Sequence, residues 1–103
     1  MYPGYIFGAM HSREGRAATT ATITVHCRFF ARYAEALGRD ELALEVPEGT
    51  TVADAVRRLR ANLPKGELLP ERPVAAVNRE HAAPDTRLAD GDEMALLPPL
   101  AGG

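Results

Sequence analysis

The sequence predicts an α+β domain in which a four- to five-stranded mixed sheet carries one main helix across one face. Three observations predict it. Apolar and polar residues alternate without a break over 22–29 and again over 41–46, the period of strands with one buried face. Apolar residues recur at helical spacing between Val52 and Leu63. Two further short apolar runs, 73–78 and 93–97, follow that helix.

Each element has its own local justification. In the first strand Ile23, Val25, Cys27 and Phe29 share a face and point inward. Residues 31–37 favour helix and end at Gly38, which suits the position just past a helix C-terminus. Leu42, Leu44 and Val46 give the second strand its buried face, and Pro47-Glu48-Gly49 supplies a turn. Thr51 is a good N-cap, with Asp54 three residues on in the place of the usual capping-box glutamate. Val52, Ala55, Val56, Leu59 and Leu63 form the apolar stripe of the main helix, and Pro64 and Gly66 stop it. Arg57, Arg58 and Arg60 lie on its other side, where exposed charge ordinarily serves solvation, docking of an acidic partner being the alternative. Residues 73–78 read as a short buried strand, Asp90-Gly91 as a turn, and 93–97 as the last strand.

The resulting order is strand, strand, helix, strand, strand, which is the β-grasp arrangement. The domain is expected over 22–97. Residues 1–21 mix aromatic, small and polar residues without periodicity and read as a leader outside the fold. The alternative is that Tyr5, Ile6 and Phe7 dock as an extra strand. Residues 98–103 form a protruding tail.

Composition narrows the function classes. A chain of 103 residues accommodates one domain, not separate cofactor and substrate domains. With 12 Lys+Arg against 14 Asp+Glu the net charge is -2, so neither nucleic acid nor an anionic membrane is an expected partner. No apolar run approaches the roughly 20 residues of a membrane span. Six per cent aromatics and no tryptophan leave too few rings for a base-stacking platform. The single cysteine excludes an internal disulfide framework and suits a reducing compartment. The N-terminus lacks the order of a signal peptide, so the cytoplasm is the expected location.

The usual catalytic arrangements are missing. His11, His26 and His81 fall on the leader, an exposed strand face and a loop, without metal-ligand spacing. Cys27 belongs to the buried face of the first strand, where a thiol is inert packing. No glycine-rich loop precedes a helix to cradle phosphate, and Asp90 and Asp92 are explained by the turn they flank. No bound cofactor and no metal are expected.

The end of the chain is different. At average glycine usage a terminal pair of glycines occurs by chance about once in 200 chains. Here the pair follows an apolar strand and a Pro-Pro spacer. Proline cannot donate a ladder hydrogen bond, so pairing stops near Pro98. The six residues beyond Leu97 can extend about 20 Å. Gly102 and Gly103 have no side chains, so the terminal carboxylate can enter a narrow channel in a partner. It would be a reactive group only with activation from outside.

The segments Phe29-Phe30-Ala31, Tyr33-Ala34-Glu35-Ala36-Leu37-Gly38, Thr51-Val52-Ala53-Asp54-Ala55 and Val74-Ala75-Ala76-Val77-Asn78 resemble MoaD, the small subunit of molybdopterin synthase. Most specific is the run from Leu88 through Asp90-Gly91-Asp92-Glu93 to Pro98-Pro99-Leu100-Ala101-Gly102-Gly103. The resemblance spans about residues 22–103 and implies a ubiquitin-like sulfur carrier with no enzyme activity of its own. It implies that an E1-like, MoeB-like enzyme consumes ATP to adenylate Gly103, and that a sulfur donor then converts the carboxylate to a thiocarboxylate. A MoaE-like large subunit would receive the tail, in a heterotetramer by analogy, and sulfur would pass to a pterin precursor of the molybdenum cofactor. Gly103 would then be the acyl carrier and Gly102 the slim residue that admits it. Pro98, Pro99, Leu100 and Ala101 would form the partner-contacting stem, with Phe30 beside it. Phe29, Phe30, Leu97 and Leu100 are the candidates for an apolar docking patch, with core packing the competing role for Phe29. Three other readings stay open: a ThiS-like carrier of the thiamine pathway, a ubiquitin-like protein modifier, and a non-reactive β-grasp interaction module.

Overall fold

The computed structural model describes residues 21–99. The elements run β1 (Thr22–Phe29), α1 (Arg32–Leu37), β2 (Glu41–Pro47), α2 (Val52–Asn62), a short 3-10 turn (Gly66–Leu68), β3 (Val74–Val77), β4 (Glu80–Ala82) and β5 (Glu93–Leu97). The five strands form one mixed sheet in the order β2-β1-β5-β3-β4. Its central pair, β1 and β5, is parallel; every other pairing is antiparallel. With α2 across one face, this is the β-grasp arrangement.

Period-two alternation decides which face is covered. Ile23, Val25, Cys27 and Phe29 of β1, Leu42, Leu44 and Val46 of β2, and Met94 and Leu96 of β5 are all buried. They join Val52, Ala55, Val56 and Leu59 of α2 in one core, which Tyr33, Leu63, Leu69 and Leu88 complete. The opposite sheet face carries Thr24, His26 and Arg28 of β1, and no helix covers it among the described residues. Cys27 is 1% exposed, and burial pushes its thiol up to about 12. A thiolate nucleophile there is excluded at neutral pH.

Every one of the first four N–H groups of α2, which a helix cannot satisfy internally, has a partner. Thr51 and Asp54 form a reciprocal capping box. The Val52 and Ala53 amides donate to the carbonyls of Thr86 and Pro84, each at 2.9 Å. The loop between β4 and β5 thus closes the helix start, and Leu88 anchors that loop in the core. The Thr51 backbone and hydroxyl bonds, with the Arg57 guanidinium, hold the Asp54 carboxyl below its ordinary range.

Three expectations change. The order strand, strand, helix, strand, strand omits β4, which places His81 on an edge strand instead of a loop. β4 forms because Asn78 and Arg79 both adopt positive φ, 52° and 72°, giving a two-residue hairpin turn. Asn78 is held from the far side by Asp92: its Nδ2 donates to Asp92 Oδ1 at 2.9 Å, while its Oδ1 accepts from the Glu93 amide at 3.0 Å. Val74, expected in a buried strand, is 39% exposed, because it faces away from α2 while Ala75 faces inward. Finally, Ala21, placed with the leader, is already tied to the sheet, since its carbonyl accepts from the Glu48 amide at 2.8 Å. The alternative docking of Tyr5, Ile6 and Phe7 falls outside the described residues.

Pro64 ends α2 by pushing Leu63 into extended backbone, φ -83° and ψ 145°. Gly66 permits a close approach of the chain to the end of α2. A Cβ there would overlap the Leu59 carbonyl oxygen and lie 2.8 Å from that of Arg60. Gly66→Ala should therefore destabilise the domain by about 1–3 kcal/mol through forced backbone displacement, read by urea denaturation. For Cys27 the sign follows from its raised folded pKa. Burial of the neutral thiol contributes fully below its ordinary value of 9.0 and is lost as pH rises toward about 12. Cys27→Ala should be less stable than the parent near pH 8, where it leaves a cavity. That gap should narrow in denaturation curves recorded above pH 9; a constant gap would contradict the buried-thiol account.

Candidate functional site

Parallel pairing makes β1 and β5 leave the sheet at the same end. Their register runs from His26 opposite Glu93 to Phe29 opposite Leu96, and the Phe30 amide adds a last bond to the Leu96 carbonyl at 3.3 Å. On the other side β3 pairs Val74 with Leu97, and there the ladder ends. Pro98 and Pro99 follow; neither has an N–H to extend pairing, so the chain must leave the sheet at this point.

Phe29 and Phe30 part company here. Phe29 keeps the inward phase of β1 and is 2% exposed. Phe30 takes the opposite phase and is 37% exposed, and Ala31, at φ 50°, turns the chain away into α1. Phe30, Ala31, Arg32, Val74, Leu97, Pro98 and Pro99 line an open, largely apolar groove of about 710 Å³. Of the candidate docking patch, Phe30 and Leu97 are thus brought together at the root of the tail, and Phe29 is core. Leu100, Ala101, Gly102 and Gly103 lie outside the described residues.

Two contributors escaped the reading of the sequence. Val74 arrives from β3 because it is the register partner of Leu97. Arg28 sits two residues before Phe30, on the same face of β1, with its guanidinium carbon 5.4 Å from the centre of the Phe30 ring. Its Nη1 lies 3.5 Å from the Glu93 carboxylate. Its Nε, by contrast, is buried and has no hydrogen-bond partner among the described residues. Period two would have placed Arg28 beside Phe30; nothing local announces Val74, since its role depends on a strand pairing of distant segments.

The groove holds apolar side chains, two prolines and an arginine, with Arg28 close by, which suits association and supplies neither nucleophile nor general base. Among the described residues no three His, Cys, Asp or Glu side chains gather as a metal site. No helix among them is long and apolar enough to cross a membrane. Asp90 and Asp92 are committed to the fold. Asp90 Oδ1 accepts from the Thr24 amide at 2.8 Å, and Asp92 Oδ2 accepts from the Ala89 amide at 2.8 Å.

Comparison with known proteins reaches the same part of the chain. A model of the ThiS family matches residues 27–103. The molybdopterin synthase sulfur carrier subunit of Arabidopsis thaliana is 30% identical over 84 residues, covering 82% of this chain and 88% of that protein. Small archaeal modifier protein 3 of Haloferax volcanii is 34% identical over 87 residues, covering 74% of this chain and 95% of that protein. The crystal structure of small archaeal modifier protein 1 from Haloferax volcanii superposes with a TM-score of 0.68 at 30% identity, covering 76% of this chain and 99% of that one. With a family match that runs from the end of β1 through the main helix and the groove to Gly103, on a ubiquitin-like β-grasp fold, the chain belongs to the ThiS family.

Proposed function

We propose that this chain is a sulfur carrier, the small subunit of a molybdopterin synthase, which holds sulfur as a thiocarboxylate on Gly103. The single observation that carries the reading is the shape of the tail root. A central strand runs straight into Pro98-Pro99 beside an apolar groove, and the diglycine follows after Leu100 and Ala101. The similarity to a named molybdopterin synthase sulfur carrier subunit supports the pathway.

The chemistry is divided between molecules. An E1-like enzyme transfers AMP from ATP to the Gly103 carboxylate and releases pyrophosphate. Sulfide released by a donor then attacks the acyl carbon, the bond to AMP breaks, AMP departs, and loss of the sulfur's proton leaves a thiocarboxylate. In the large subunit that sulfur attacks the pterin precursor, and hydrolysis returns the Gly103 carboxylate. This chain's own residues do the holding. Pro98 and Pro99 stiffen the exit, and Phe30, Val74 and Leu97 offer apolar surface to a partner. Cys27 takes no part, since burial keeps it a neutral thiol.

A second reading has its own support. The archaeal modifier relatives point to a ubiquitin-like modifier, in which the same adenylate ends on a lysine amine of a target protein. The two readings share activation and diverge only in the acceptor.

Incubation of the full chain with ATP, sulfide and an E1-like enzyme from the same cell should give a mass increase equal to exchange of one oxygen for sulfur, mapped to Gly103. Persistence of the unchanged mass with a demonstrably active E1-like enzyme would refute the carrier reading. Adding one residue after Gly103 should abolish that gain while leaving the urea denaturation curve unchanged, because the tail lies beyond the last paired residue of β5. Cys27→Ala should load sulfur as the parent does. Loaded chain mixed with a MoaE-like subunit and pterin precursor should lose its sulfur to the pterin; lysine-linked conjugates and an unchanged pterin would favour the modifier reading.

A further inference from the structure

The sequence places Arg57 and Arg60 on the outer side of the main helix, but the fold adds a third guanidinium from another segment. Arg72, in the loop before β3, joins them around a cleft of about 360 Å³, with Ala53, Glu71 and Pro84 as the remaining wall. Three guanidiniums face one carboxylate, in a chain whose acidic residues outnumber its basic ones overall.

Two of the three are held in place before any ligand arrives. Arg60 Nε donates to the Leu69 carbonyl at 2.7 Å, which fixes the plane of its guanidinium. Arg57 is braced by Asp54, itself locked in the capping box. Arg72 pairs with no carboxylate among the described residues. Glu71 is the occupant the chain itself supplies. It reaches Arg60 Nη1 only at 3.8 Å, and its side chain is 81% exposed, so the contact is loose and easily displaced. A guanidinium oriented in advance loses less freedom when a second carboxylate replaces the first.

The wall argues for a peptide over a small anion. The cleft continues past Ala53, Glu71, Arg72 and Pro84 onto a small apolar shelf of about 20 Å³ edged by Ala82 of β4, room for one methyl-sized group. A bare anion would leave that shelf unused. β4 is also the outermost strand of the sheet on that side. Charge complementarity and the apolar shelf together select an acidic segment that also carries small aliphatic side chains.

We propose that the cleft between α2 and the loop before β3 docks an acidic, aliphatic-containing peptide segment of a protein partner, whose carboxylate takes the place of Glu71 on Arg60 and engages Arg57 and Arg72 beside it. The cleft shares no lining residue with the groove beside Pro98 and Pro99. A partner can therefore be held here while the tail root is engaged, and the proposal stands whether the tail carries sulfur or modifies proteins.

The test is fluorescence anisotropy of a fluorescein-labelled peptide of alternating glutamate and alanine, titrated with the full chain. Arg72→Gln should weaken binding by about tenfold or more, as loss of a charge-assisted hydrogen bond does. Glu71→Gln should tighten binding by removing the internal competitor. Arg58→Gln, whose residue does not line the cleft, should leave it unchanged. Arg57→Gln provides a second loss variant, and circular dichroism of each variant establishes that it is folded. The proposal fails if the peptide does not bind the parent chain, or if Arg58→Gln weakens binding as much as Arg72→Gln, which would mean diffuse charge attraction. It fails equally if the glutamine version of the peptide binds as tightly, or if inorganic phosphate at the peptide's concentration displaces it, which would mark a small-anion site.

Discussion

The parallel pairing of β1 with β5 is the constraint on which the rest of the molecule depends. Parallel neighbours cannot be joined by a hairpin, so the chain between Phe29 and Glu93 must cross over, and that crossover holds α1, β2, α2, β3 and β4. Placing β5 between β1 and β3 also satisfies both of its edges and makes the last strand a central one. A tail that leaves a central strand is anchored firmly at its root, whereas a tail leaving an edge strand could fray with it. The same pairing brings the end of β1 to the end of β5, which is why Phe30 stands beside Pro98.

Among the described residues a helix covers the sheet on one face only, and this has consequences for function. α2 buries one set of strand residues, and the other set faces outward, with Arg28, Glu93 and Val74 spread across β1, β5 and β3. Near the tail root this outward face becomes apolar, with Phe30, Val74 and Leu97 together. An open apolar groove of this kind is suited to being covered by another protein. The described part of the molecule contributes shape and anchorage near the tail, and no acid, base or nucleophile. That division fits a member of the ThiS family whose relatives bear the names of a synthase subunit and of protein modifiers.

Residues that look chemical in the sequence are consumed by folding. Asp54 closes the start of α2, Asp90 accepts from the β1 backbone, and Asp92 braces the Asn78 turn from across the sheet. Cys27 fills the core. Each aspartate bond at the sheet joins segments that form separately, so the loop from Ala83 to Asp92, which looks long and irregular, serves as the tie between the helix start and the centre of the sheet.

The strands and the main helix were legible because their periods are local properties. Alternation in 22–29 and 41–46 names the buried side chains without any knowledge of partners, and the Thr51–Asp54 box marks a helix start by geometry within four residues. β4 was not legible, because three residues of modest strand preference pair only when Asn78 and Arg79 are held at positive φ, and Asp92, fourteen residues from Asn78, supplies part of that hold. The exposed position of Phe30 follows from strand parity. Its association with Val74, Leu97 and Pro98, like the meeting of Arg72 with Arg57 and Arg60, depends on how distant segments pack. Periodicity and capping are written within a few residues of chain, so sequence alone determines the elements and their inward faces. Which outward-facing residues become neighbours is settled by strand order and register, and these exist only once the sheet has closed around its central parallel pair.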